Sequence, residues 1–191
     1  GLIALGVHAT RVGKLAGVNS QFWGYTLDAQ LHEKSECVRY RRKLRSATAK
    51  WQSDPRDSQQ KRYVMSLRSE LAKMEESMTY ELLASSEVIV TTCSGAGSPL
   101  IKKFVAQRNK GFPVVLVDEA VQCSELSLLP ALVHGCEKLI LVGDQNQLPP
   151  LVSSAVLQKK GLVVSLFSRL IDAGVKPWLL KEQYQMHPDI A

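Results

Sequence analysis

The sequence has no C-x-x-C pair; its four cysteines, Cys37, Cys93, Cys123 and Cys136, stand far apart. That spacing argues against a structural zinc site, which draws its ligands from close pairs, and against the disulfide framework of a small secreted domain. Buried or incidental thiols in a reducing compartment are the better account. No apolar run reaches the roughly 18 residues that span a bilayer. Residues 1–13 are apolar but short, carry His8 and Arg11, and offer no cleavage site, so they do not read as a signal peptide. An initiator methionine is missing and the chain stops in mid-pattern at Ile190-Ala191, so both ends are expected to be cut points. Internal repeats and low-complexity tracts are absent.

What is present is an ordinary globular composition. The 191 residues are 45% hydrophobic, enough for a real core in one domain. Lysine and arginine exceed aspartate and glutamate by 24 to 18, a net charge of +6. The excess suits a polyanionic partner, because basic side chains gain by neutralising phosphates and releasing counterions. Mild solubilising charge is the plainer reading of the same number.

Residues 2–12 are apolar, with small and β-branched side chains before Gly13, and predict a strand feeding a turn. From residue 26 to about 83 the chain is rich in Lys, Arg, Glu, Gln and Ser and almost free of glycine. Apolar residues recur there at Tyr63, Leu67, Leu71, Met74, Met78 and Leu82, the spacing of one helix face. A weaker stripe runs through Leu27, Leu31, Val38, Leu44 and Trp51, and Ser53-Asp54-Pro55 separates the two. The pattern predicts an antiparallel helical hairpin. Its first helix carries Arg39, Arg41, Arg42, Lys43 and Arg45, either a solvated face or a phosphate contact. Trp23, Tyr25, Trp51 and Trp178 are assigned to core or hairpin packing rather than to base stacking.

After residue 87 short β-branched runs alternate with helical pieces. Val88-Ile89-Val90-Thr91-Thr92, Val114-Val115-Leu116-Val117 and Leu139-Ile140-Leu141-Val142 read as continuously apolar runs, as strands covered on both faces of a parallel sheet are. Each ends in small or acidic residues, and open parallel sheets bind ligands beyond those carboxyl ends.

Three such ends carry polar chemistry: Cys93-Ser94-Gly95, Asp118-Glu119-Ala120 and Gly143-Asp144. Val117 delivers Asp118 and Glu119, adjacent carboxylates of the kind that hold Mg²⁺ and orient an attacking water in nucleotide-hydrolysing sheets. Gly143-Asp144 continues into Gln145-Asn146-Gln147-Leu148-Pro149-Pro150. There the glycine permits close approach, the prolines stiffen the exit, and the Gln147 amide can hydrogen-bond a γ-phosphate.

Together these segments resemble the superfamily 1 helicases of the up-frameshift and senataxin type. Asp118-Glu119-Ala120-Val121-Gln122 matches their D-E-A-x-Q box, and residues 143–150 match G-D-x-x-Q-L-P-P. Ser165-Leu166-Phe167-Ser168-Arg169-Leu170 matches S-L-F-x-R-L, and residues 183–188 sit where the family has Q-Y-R-M-H-P. Thr91-Thr92-Cys93-Ser94-Gly95-Ala96-Gly97 looks like the family's nucleic-acid-contacting loop. Order and spacing agree over roughly half the chain.

The resemblance implies an α/β fold: a partial RecA-like P-loop NTPase domain with a parallel sheet, built from residues 1–25 and 85–191, and a helical hairpin stalk inserted at 26–84. It implies ATP hydrolysis with Mg²⁺ coupled to stepping along single-stranded RNA or DNA, by a monomeric motor of cytoplasm or nucleus with a second RecA-like domain and no membrane. Asp118 would be the metal ligand, Glu119 the catalytic base and Gln147 the γ-phosphate sensor, with Asp118, Glu119, Asp144 and Gln147 around the nucleotide. Thr92, Ser94, Gly95, Gly97, Pro149 and Pro150 would face the nucleic acid.

Two departures stand out. The phosphate-binding G-x-x-x-x-G-K-[ST] loop is missing: Gly13-Lys14 supplies only the dipeptide, with His8 and Leu15 in the wrong places. The isolated chain is therefore expected to be inactive. Gln185 replaces the family's arginine, whose guanidinium reaches the γ-phosphate. A competing expectation is a nucleic-acid-binding scaffold that kept the fold and lost its engine. A small-molecule kinase fits poorly, having no use for Gln147 or residues 183–188.

Overall fold

A computed structural model of the chain describes residues 2–14, 18–184, 186–187 and 189–190. The chain forms two compact units, residues 1–109 and 110–191.

In the first unit, β1 (Ala9–Arg11) pairs in parallel with β2 (Val88–Val90), Ala9 opposite Val88. The strand expected at residues 2–12 is thus only three residues long. Leu2–Leu5 forms a 3-10 turn instead, with Leu5 78% exposed. A strand needs a ladder partner, and β2 reaches only as far as Ala9.

Three helices lie between these strands in the sequence: α1 (Leu27–Glu33), α2 (Ser35–Ser53) and α3 (Ser58–Ser85). Thr26 caps α1 through its hydroxyl, which accepts from the Ala29 amide. Lys34 is extended and separates α1 from α2. After a turn at Asp54 and Pro55, the Asp57 carboxylate accepts from the amides of Gln59 and Gln60 at 2.9 Å and starts α3.

Helices α2 and α3 run antiparallel. Gln60 donates to the Ala47 carbonyl near the turn, Arg41 meets Glu75 midway, and the Cys37 thiol meets the Met78 sulfur at 3.3 Å towards the base. Their seam buries Ala47, Val64 and Leu67, with Tyr40, Leu44 and Trp51 packed against them. The buried stripe is turned slightly from the expected one. Val64 is inside while Tyr63 is 50% exposed, and Cys37 is inside while Val38 is 49% exposed. Val64, Leu67 and Leu71 follow one face of α3, and Tyr63 falls at its edge. Burial raises the Cys37 thiol pKa above its ordinary value, with Arg41 opposing the shift. Trp51 packs in the hairpin as expected. Trp23 and Trp178 are not core residues, being 52% and 96% exposed, and Tyr25 is half-exposed; Trp178 lies in a segment without helix or strand.

The base of the hairpin is tied to β1. Fully buried Thr10 accepts from the Ser86 hydroxyl at 2.7 Å and donates to Gln30 at 3.4 Å, while the His8 ring bonds the Ser85 carbonyl. Beyond β2 come the single turn α4 (Cys93–Ala96) and α5 (Pro99–Arg108), which buries Ile101 and Phe104.

In the second unit, β3 (Val114–Val117) and β4 (Lys138–Leu141) pair in parallel, Val117 opposite Leu141, with α6 (Glu125–Leu132) as crossover. Two short helices follow, α7 (Ala155–Lys159) and α8 (Leu166–Asp172). The expectation that these strands are covered on both faces is not met. Val117 is buried, but Val114 and Leu116 are 55% and 63% exposed. The ladder holds two strands, and their alternate side chains face open space. Among the described residues no helix is long and apolar enough to cross a membrane.

Candidate active site

The ends of β3 and β4 are locked side by side. The Val142 amide donates to the Val117 carbonyl, and the Ala120 amide donates to the Val142 carbonyl, both at 2.8 Å. The second bond carries the pairing past the acidic residues, so Asp118 and Glu119 bulge from the strand end with exposed side chains. A β-carbon on Gly143 would lie 3.2–3.4 Å from Val121 and the Ala120 nitrogen. Here the glycine serves close approach of two strand tips, where the sequence suggested approach to a ligand.

Glu119 takes a left-handed conformation, φ 52° and ψ 40°. Such a conformation costs a non-glycine residue about 1 kcal/mol or more, and strain of this kind gathers at functional sites. Its amide donates to Asp118 Oδ1 at 3.0 Å, and Gln122 Nε2 donates to Glu119 Oε2 at 3.4 Å. The last residue of the D-E-A-x-Q box therefore steers the glutamate, a role that sequence reading missed although it had quoted the residue. Asp118 Oδ2 has no partner among the described residues. One free carboxylate oxygen suits Mg²⁺, which is commonly held by one or two carboxylates, waters and substrate phosphates. Among the described residues no group of three His, Cys, Asp or Glu side chains could cage a metal.

Across from this pair, Asp144 organises its own turn. Its Oδ1 accepts from the Asn146 amide at 2.9 Å and its Oδ2 from Gln147 Nε2 at 3.2 Å. Gln147 is thus parked on Asp144, and no hydrogen bond joins it to Asp118 or Glu119. Pro149 is exposed and Pro150 buried.

A second lock backs the Glu119 loop. Ser124 and Ser165 bridge in antiparallel fashion, each capping a helix, α6 and α8. Arg169 then grips Glu125 with two nitrogens, Nε to Oε2 at 2.9 Å and a terminal nitrogen to Oε1 at 2.5 Å. Arg169 had been quoted only as part of S-L-F-x-R-L; nothing in a one-dimensional reading joins it to a glutamate 44 positions earlier.

In the first unit, Thr92 caps α4: its hydroxyl accepts from the Gly95 amide at 3.0 Å and lies 3.3 Å from the Ser94 hydroxyl. The Gly97 amide donates to the Ser94 carbonyl. Two of the backbone donors expected to face nucleic acid are therefore engaged internally, and the Ser94 side chain is exposed. A β-carbon on Gly95 would sit 2.3 Å from Thr91 Oγ1, a buried hydroxyl without a partner among the described residues. Near the chain end, Gln183 closes a turn onto Met186. Gln185 and Pro188, like Leu15, lie outside the described residues.

Residues 25–155 match the family model described as "AAA domain", so the chain belongs to that family. Within it, the chain is similar to superfamily 1 helicases of the up-frameshift type. It is 41% identical over 115 residues to the "Probable helicase MAGATAMA 3" of Arabidopsis thaliana, 60% of this chain and 14% of that protein. It is 44% identical over 108 residues to the "ATP-dependent helicase upf1" of Schizosaccharomyces pombe, 56% and 11% respectively. To the "5'-3' DNA helicase ZGRF1" of Mus musculus it is 34% identical over 194 positions, covering this whole chain and 10% of that protein. The chain thus spans only a small part of each relative's length.

Proposed function

We propose that this chain supplies part of the first RecA-like domain of an ATP-dependent RNA or DNA helicase, a motor that couples ATP hydrolysis to translocation on single strands. The observation that carries this reading is the locking of the two strand tips, which sets the 118–119 carboxylates beside the loop bearing Gln147. Residues 1–25 and 85–191 are motor, and residues 26–84 are the inserted stalk. A second RecA-like domain of the same protein would close over the site.

The geometry supports a set of roles. Asp118, with Oδ1 taken by the Glu119 amide, would hold Mg²⁺ through water with its other oxygen. Glu119, steered by Gln122, accepts the proton of the attacking water. Gln147 leaves Asp144 to hydrogen-bond the terminal phosphate, so Asp144 controls when the sensor is released. Bound Mg²⁺–ATP supplies the phosphoryl group under attack. The phosphate-cradling loop is not in this sequence, so the 191 residues alone do not hydrolyse ATP. Thr92, Ser94, Gly95 and Gly97 in the first unit are candidate contacts to the strand, and Pro149 and Pro150 are separate candidates in the second.

A second reading, a nucleic-acid-binding scaffold with a silent engine, is favoured by Gln185 alone. Turnover of ATP by the full-length protein, with and without single strands, separates the two. The motor predicts strand-stimulated hydrolysis that falls on the order of 10²-fold or more in Glu119→Gln, as expected on removing a general base. Hydrolysis that is nil in both proteins favours the scaffold.

A further inference from the structure

Helix α2 carries six basic side chains and one acidic one, a net of +5 within 19 residues, against +6 for the whole chain. The structure sorts them. Arg41 is turned into the hairpin, donating to Glu75 and lying 2.7 Å from His32. Arg45 is exposed but, six residues from Arg39, falls off the face that the other four share. Arg39, Arg42, Lys43 and Lys50 are exposed, and among the described residues none has a carboxylate within ion-pair distance. Their spacing of three, four and eleven residues from Arg39 puts them along one face, with exposed Ser46 between. That face lies away from the seam made by Tyr40, Leu44, Ala47 and Trp51. It is about 16 Å long at 1.5 Å per residue. Lys43 rests 5.3 Å above the Tyr40 ring, which limits the freedom lost on binding.

A row of like charges on one helix face is mutually repulsive, so it weakens the isolated helix. A polyanion laid along the row would reverse that cost. We propose that this outer face of α2 is a nucleic-acid backbone site separate from the strand-tip loops, holding the sugar-phosphate chain through Arg39, Arg42, Lys43 and Lys50 without reading bases. The site rests on the helicase reading and extends it. It gives the stalk its own hold on the strand.

The test is fluorescence anisotropy of the intact protein with a labelled 30-nucleotide single strand, free of nucleotide, over a series of salt concentrations. Arg39→Gln, Arg42→Gln, Lys43→Gln and Lys50→Gln are combined; all four side chains are exposed and glutamine is a good helix former. The slope of log K against log salt is expected to become shallower by about 2.8, four contacts at about 0.7 each. Affinity at low salt should fall at least tenfold. A control neutralises Lys61, Arg62, Arg68 and Lys73 on α3, the same change of charge, and should retain most of the affinity. Equal losses in the two variants, or an unchanged slope in the first, overturn the α2 site and leave the motor reading standing. No binding by the unmodified protein would sink the motor reading itself. If the α2 variant instead loses only its capture by phosphatidylserine vesicles, the face serves a membrane and the proposal is wrong.

Discussion

Replacing Leu67 by alanine tests whether the hairpin is held by its seam. Leu67 is 4% exposed and sits with Val64 and Ala47 in the buried group between α2 and α3. The change removes three carbons, and at about 0.8 kcal/mol for each buried group the transfer loss is about 2.4 kcal/mol. A cavity adds to this, within the 2–5 kcal/mol range usual for such truncations. The half-buried neighbours Leu44 and Trp51 can relax into part of the hole, which keeps the total near about 3 kcal/mol. Urea unfolding followed by circular dichroism at 222 nm reads this directly, because α2 and α3 hold most of the first unit's helix. The control is Met65→Ala at a 58% exposed position on the same helix, expected to cost no more than about 0.5 kcal/mol. Two variants that differ by less than about 1 kcal/mol would mean that the stripe from Val64 to Leu71 is not what joins the helices.

Other outcomes follow from the loops. Gly95→Ala drives a methyl group into Thr91 Oγ1 and is expected to cost about 1–3 kcal/mol. Adding Thr91→Ala should recover most of that loss, and a double variant no better than the single one would contradict it. Arg169→Gln and Glu125→Gln should each speed amide hydrogen exchange in α8. The double variant should add little, and the effect should fade in 1 M salt, because the pair is exposed. Unequal single effects that persist in salt would show that α8 is held by its Ser165 cap instead.

The strand ends were legible because their chemistry is local. An apolar run that stops at Asp118-Glu119, and another that stops at Gly143-Asp144, state their own boundaries. The hairpin was legible for the same reason, with Asp54-Pro55 marking its turn. The phase of its seam was not: Tyr63 and Val64 differ by one position, and which one turns inward depends on α2, not on α3. The strand at residues 2–12 failed likewise, because pairing length is set by β2, about eighty positions away. The grip of Arg169 on Glu125 and the parking of Gln147 on Asp144 are matters of rotamer, on which spacing is silent. Exposed Trp178 followed no rule of composition.

Ala9 and Val88 sit opposite one another although 78 residues separate them. An unstructured excursion of that length would be slow to close. The out-and-back path of α2 and α3 shortens it by returning Ser85 and Ser86 to His8 and Thr10. Evolution can therefore lengthen both arms in step, carrying the Asp54-Pro55 tip outward, while the strand register at the foot stays where it is.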